Sequence, residues 1–247
     1  MWYNTAKESF RGALIMNLWD GGQSILFMRV LFLIVTLLYL TDLFFMVPKY
    51  TRCKYDHTPR KQKLMWKGAC IGVPVVAIIV GTVFNAPKGL EIGDFLLIAG
   101  MCVCAVGDIV LEIKFIRGGF LFFAGHLLYI AALASMTKYY NPVALIIYVV
   151  LAAAGWILTN KHLSKKYRIL LVGYNLTISA SFALGVNLLM GGDSAFLILG
   201  AGVMLLPISD WLMARNKVFG STYAWSLLAL VTYFGGQILI SAYPYLK

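Results

Sequence analysis

Long apolar runs separated by short polar connections dominate the chain, and the runs are continuous instead of alternating at every second residue. This pattern predicts α-helices that cross a bilayer, not the strands of an outer-membrane barrel. Eight spans are expected: about Ile25 to Val47, Met65 to Phe84, Phe95 to Ile113, Phe120 to Thr137, Val143 to Thr159, Ile169 to Met190, Ala195 to Ala214 and Thr222 to Tyr243. Turn chemistry marks the joints at Asn85-Ala86-Pro87-Lys88-Gly89, Arg117-Gly118-Gly119, Lys138 to Pro142 and Gly191-Gly192-Asp193. A basic loop is expected from Pro48 to Leu64 and a second from Lys161 to Arg168. The expected fold class is all-α, a polytopic transmembrane helical bundle. Residues 1–24 are read as an interfacial N-terminal extension and residues 25–247 as a single eight-helix membrane domain.

Composition agrees: 61% of the residues are hydrophobic, 13% are charged and the mean hydropathy is +0.82, which excludes an ordinary soluble domain. A net charge of +11 would fit a nucleic-acid binder, but the cations sit in the connections between apolar runs. Fifteen of the twenty-one fall in the odd-to-even connections, from Lys49 to Lys67, at Lys114 and Arg117, from Lys161 to Arg168, and at Arg215 and Lys217. Basic residues accumulate on the cytoplasmic side, so both termini are expected on the non-cytoplasmic side and no nucleic-acid partner is expected. Cys53, Cys70, Cys102 and Cys104 form no CxxC pair, and the last three read as small hydrophobes in apolar runs. Nothing in the first 24 residues resembles a cleavable signal peptide.

Against this background a few polar residues stand out. A charge at the centre of a spanning helix costs about 2.5 to 3.5 kcal/mol, so intramembrane acids usually face a bundle interior and mark function. Asp108, after Gly107, and Asp210, after Ser209, are the two clearest cases. The orientation puts both in the cytoplasmic half of the membrane, within roughly 6 to 10 Å of its boundary at 1.5 Å per residue. His126 and Tyr129 in the fourth span, and Tyr174 and Asn175 in the sixth, fall at the same depth, as does Asp42. Arg29 and Asp42 lie near the ends of the first span and are read as snorkelling to an interface. Glu112, one turn beyond Asp108, is read as a solvated interfacial charge.

His126 and Tyr129 share one helical face at i, i+3, and Tyr233 and Gln237 share another at i, i+4. His126 is read evenly as a hydrogen-bonded structural residue or as a group that orients or protonates a carboxylate. Pro207 opens the backbone of the seventh span one turn before Asp210. Ser209 lacks a Gly-x-Ser-x-Gly elbow and is read as hydrogen-bonded to backbone or to Asp210. His57 and His162 stand in the basic loops, so no metal site with zinc spacing is expected, and no cofactor. Four spans separate the two aspartates, a spacing compatible with a parallel repeat of four helices.

Gly107-Asp108 with Leu111, then Phe122, Gly125, His126 and Tyr129, then Tyr174 with Ser179, then Ser209-Asp210, then Thr232-Tyr233 with Gln237 form an ordered series running from about Met65 to the C-terminus. This series resembles the YhhN family of integral-membrane lysoplasmalogenases. The family often has Lys-Pro at the start of its second span, where this chain has Lys67-Gly68. The resemblance implies hydrolysis of the vinyl-ether bond of a lysoplasmalogen to a fatty aldehyde and a glycerophosphocholine or glycerophosphoethanolamine. It implies Asp108 and Asp210 as the catalytic pair, with His126, Tyr129, Tyr174, Asn175, Ser209, Tyr233, Gln237 and Lys67 as supporting or substrate-binding residues. The expected partners are then a lysophospholipid substrate and membrane lipids, in a bacterial cytoplasmic membrane or, in a eukaryote, the endoplasmic reticulum.

Two other classes compete. Intramembrane acids also build proton relays, so a proton-coupled transporter or lipid-binding protein is the main alternative, although both acids in one leaflet fit alternating access poorly. A metal-dependent membrane amidase or ceramidase would need two or three intramembrane histidines where the chain offers His126.

Overall fold

The computed structural model describes residues 21–56, 58–86, 89–137, 139–162, 165–191 and 194–247, and among them the chain is helical throughout, without strands. Nine α-helices follow in order: α1 Gly21–Thr41, α2 Val47–Tyr55, α3 Arg60–Asn85, α4 Ile92–Leu111, α5 Phe115–Met136, α6 Pro142–His162, α7 Lys165–Leu189, α8 Ser194–Phe219 and α9 Tyr223–Leu246. A single π-turn, Asp42–Met46, stands between α1 and α2. Among the described residues, seven helical stretches are long and apolar enough to cross a membrane, and the apolar part of α6, Pro142–Ile157, is a shorter eighth. The chain divides after Leu40 into two units. Residues 1–20, most of the expected N-terminal extension, and the side chain of Arg29 lie outside what is described.

The first span departs from expectation. The basic stretch expected as a loop from Pro48 to Leu64 is helical at both ends, because α2 takes Val47–Tyr55 and α3 begins at Arg60. Pro48 falls in the first turn of α2, where its missing N–H and fixed φ cost nothing. The apolar stretch able to cross is accordingly Leu33–Tyr55, not Ile25 to Val47. Asp42 does not snorkel: it is fully buried in the π-turn beside the Cys70 thiol.

Residues 41–247 build the bundle that carries the polar cluster. Within it α4 packs on α5, α8 on α9 and α7, α6 on α7, and α9 on α3 and α2. Lipid chains provide no hydrophobic drive between helices, so close approach through small residues does the work. Glycine faces glycine at three crossings. A Cβ on Gly100 would lie 3.2 Å from the Gly125 carbonyl, one on Gly200 2.7 Å from that of Gly185, and one on Gly202 2.9 Å from that of Gly236. Gly107 admits the Phe122 ring of α5, which a Cβ there would meet at 3.0 Å. Sharp turns use Gly89 (φ +99°) and Gly220 (φ +82°), the latter just before the Thr222 cap of α9. A reciprocal capping box between Glu91 and Asp94 starts α4.

Candidate active site

Inside this unit the polar residues of six helices converge. Asp108, in α4, is 4% exposed and receives two donors: the Lys67 ammonium of α3 at 3.2 Å on Oδ1 and the Tyr233 hydroxyl of α9 at 2.5 Å on Oδ2. Gln237, one turn on from Tyr233, donates from Nε2 to that tyrosine's oxygen at 3.3 Å and accepts at Oε1 from the Tyr129 hydroxyl of α5 at 3.0 Å. The His126 ring meets Tyr129 edge to face, with centroids 6.2 Å apart, and its Nε2 lies 3.3 Å from Asp210 Oδ2. The Tyr174 hydroxyl of α7 donates to the same carboxylate oxygen at 2.8 Å. The buried Cys104 thiol is within electrostatic reach of both carboxylates. Asp108 and Asp210 thus belong to one polar cluster, ringed by the apolar surface that a bilayer requires of such groups.

The cluster is built twice. Gly100 precedes Asp108 by eight residues in α4, and Gly202 precedes Asp210 by eight in α8. Phe122, Gly125 and His126 of α5 correspond in spacing to Tyr233, Gly236 and Gln237 of α9. The partners cross between the halves, so that α9 bonds the aspartate of α4 and α5 faces the aspartate of α8. Lys67 on α3 and Tyr174 on α7 complete each half from the equivalent helix. The chemistry of the halves differs, however: one aspartate is held by a lysine, the other by a histidine.

Lys67 has a second partner, which makes the first half reach further outward. Its Nζ lies 3.3 Å from Glu112 Oε1, and the same oxygen accepts from the Tyr50 hydroxyl of α2 at 2.6 Å. Glu112 is therefore not the solvated charge expected of it: its side chain is only 22% exposed and paired. Burial opposes its charge, but Lys67, the Tyr50 hydrogen bond and nearby Lys54 together hold its carboxyl below the ordinary value. Tyr50 was missed, since it stood in the expected loop, where a tyrosine carries no signal.

Several expected residues are placed elsewhere or without bonds. Asn175 donates to the Ala152 carbonyl of α6 at 3.2 Å and packs on Gly155, so it ties α7 to α6 instead of joining the carboxylates. The Ser209 hydroxyl is buried and makes no hydrogen bond, contrary to the bond expected to backbone or Asp210. Thr232 bonds to its own helix at Leu228 and Ala229. His126 Nδ1 is likewise buried without a bond. A cavity of about 10 Å³ adjoins Tyr233 and Gln237, lined also by Ile71, Pro74, Met101 and Ala105, which is space for about one water. Pro74 in α3, beside this cavity, and Pro207 in α8 each free a backbone carbonyl one turn earlier.

Fold and cluster together define a polytopic α-helical membrane protein with two buried aspartates in a crossed, duplicated cradle. A family model describes the same region: the YhhN family model matches residues 62–243, and the chain belongs to the YhhN family. No curated protein and no solved structure matches it.

Proposed function

We propose that this protein is a lysoplasmalogenase that hydrolyses the vinyl-ether bond of alkenylglycerophosphocholine or alkenylglycerophosphoethanolamine. The observation that carries the reading is the unequal provision of two aspartates in one cluster. Two carboxyls in different protonation states supply an acid and a charge-stabilising anion, as in the cleavage of glycosides. Asp108 faces the Lys67 ammonium and accepts from Tyr233, two donors that hold its carboxyl in place. Asp210 faces His126, whose ring can pass a proton to and from the carboxylate.

In the first step the Asp210–His126 pair delivers a proton to the β-carbon of the vinyl ether. The double-bond electrons form the new C–H bond, and an oxygen lone pair closes an oxocarbenium ion. Asp108 stabilises that cation in a site of low dielectric. Water then adds to the carbon bonded to oxygen and returns its proton to the pair, giving a hemiacetal. Breakage of the C–O bond, with the hydroxyl proton passing to the glycerol oxygen, releases the fatty aldehyde and the glycerophospholipid headgroup. The catalyst ends as it began.

The basic connections are assigned to the cytoplasmic side, which puts both termini on the opposite side and the cluster in the cytoplasmic leaflet. Aldehyde release from a defined lysoplasmalogen by the purified protein tests the reading, and a protein that releases none while remaining folded overturns it. The duplicated cradle also favours one rival, since carriers are commonly built from such repeats. Substrate flux without aldehyde in proteoliposomes would establish that rival.

A further inference from the structure

Glu112 stands apart from the hydrolytic cluster yet is joined to it. Both of its partners, Tyr50 and Lys67, use Oε1, whereas Oε2 accepts no hydrogen bond among the described residues and the side chain keeps 22% of its surface open. One carboxylate oxygen is thus fixed from inside while the other is uncommitted. Fixing costs rotamer entropy in advance, so a ligand meeting Oε2 loses less on binding. A cation stands near its open side: Lys54 is exposed and close enough to act on its charge, and two further exposed cations, Lys114 and Arg117, follow Glu112 within five residues of sequence. A carboxylate with an exposed lysine beside it is a poor site for an anion alone. It is suited to a zwitterion, whose anionic part takes the cations and whose ammonium takes the acid.

The spacing agrees. Glu112 lies four residues beyond Asp108 on the same face, about 6 Å along the axis. The glycerol, phosphate and ethanolamine links between the vinyl ether of a lysolipid and its ammonium are flexible and longer than that rise, so a chain with its ether at Asp108 has the reach to set its ammonium at Glu112. Resting on the reading of the cluster as a lysoplasmalogen hydrolase, we propose that Glu112 is a specificity-determining residue that receives the ammonium group of a zwitterionic lysophospholipid headgroup at Oε2, with Tyr50 fixing Oε1 and Lys54 taking the phosphate. The cost of leaving this carboxylate between Lys67 and Tyr50 without an ammonium would then bias the site against lysolipids that lack an amine.

The test uses binding, not turnover. Full-length protein in detergent is titrated with acyl lysophosphatidylethanolamine and with lysophosphatidic acid of the same chain, neither of which has a vinyl ether. Glu112→Gln should lower the affinity ratio between amine-bearing and amine-free lipid by about fivefold, the scale of a partly exposed charge pair. Tyr50→Phe should lower it about twofold and serves if Glu112→Gln does not fold. An unchanged ratio in the folded variant, or an equal loss for both lipids, overturns the proposal. Hydrolysis reads out separately: a wild-type protein with the expected ratio but no aldehyde release would refute the hydrolase reading and leave the ammonium site standing.

Discussion

The two halves of the bundle carry the same device with different contents. Each presents an aspartate eight residues after a glycine that lets two helices touch, and each aspartate is met by a side chain from the other half. Yet Asp108 is locked by Lys67, Tyr233 and, beyond the lysine, Glu112, whereas Asp210 has Tyr174 and a histidine whose second nitrogen makes no bond. The shared spacing sets each aspartate two turns beyond a helix-contact glycine. In the proposed mechanism the difference in partners separates the roles of two chemically identical side chains: a lysine holds Asp108 as the charge-stabilising group, and a histidine beside Asp210 shares the proton that is delivered.

The largest effect on this contrast comes from removing either acid. Asp108→Asn and Asp210→Asn should each lower aldehyde release by about 10³-fold or more without unfolding the protein, the scale of general acid–base and electrostatic contributions. Next comes Lys67→Met, which strands Asp108 and Glu112 without their shared cation. Loss of one member of a buried ion pair costs about 3 to 5 kcal/mol, so its thermal midpoint should fall by many degrees. The double variant Lys67→Met/Asp108→Asn should regain much of that stability and none of the activity. His126→Gln keeps a hydrogen-bonding side chain at the other acid, so the protein should fold but lose about 10²-fold in rate. The smallest effect lies at the rim. Glu112 has a folded-state value below its ordinary 4.5, so its contribution to stability is present above that value and is lost as pH falls through the lowered one. Glu112→Gln should therefore reduce thermal stability at pH 7 and converge with wild type in acid.

How far the sequence reveals this depends on which physical signal each residue sends. An acid in an apolar run is conspicuous, and loop charges convert position into depth, so Asp108, Asp210, His126, Tyr129 and Tyr174 are legible as one layer. Tyr233 and Gln237 are legible as one face. Pairing across helices is not: nothing in the sequence near Lys67 shows that its ammonium sits between two carboxylates, because that contact joins α3 to α4 across a connection whose geometry the sequence does not encode. Tyr50 fails for a different reason. A cluster of lysines and arginines around Pro48 imitates a loop, while a proline in a helix's first turn and a neighbouring π-turn continue the helix. Asn175 shares the depth of the acids but faces α6, which shows that depth alone does not place a side chain in a site.

The central claim is tested most directly by incubating purified wild-type protein, Asp108→Asn and Asp210→Asn with one defined alkenylglycerophosphoethanolamine and measuring free fatty aldehyde. Wild type should release aldehyde and glycerophosphoethanolamine in equal amounts, and neither variant should do so above background. Aldehyde release at the wild-type rate by both folded variants would contradict the paired-aspartate account.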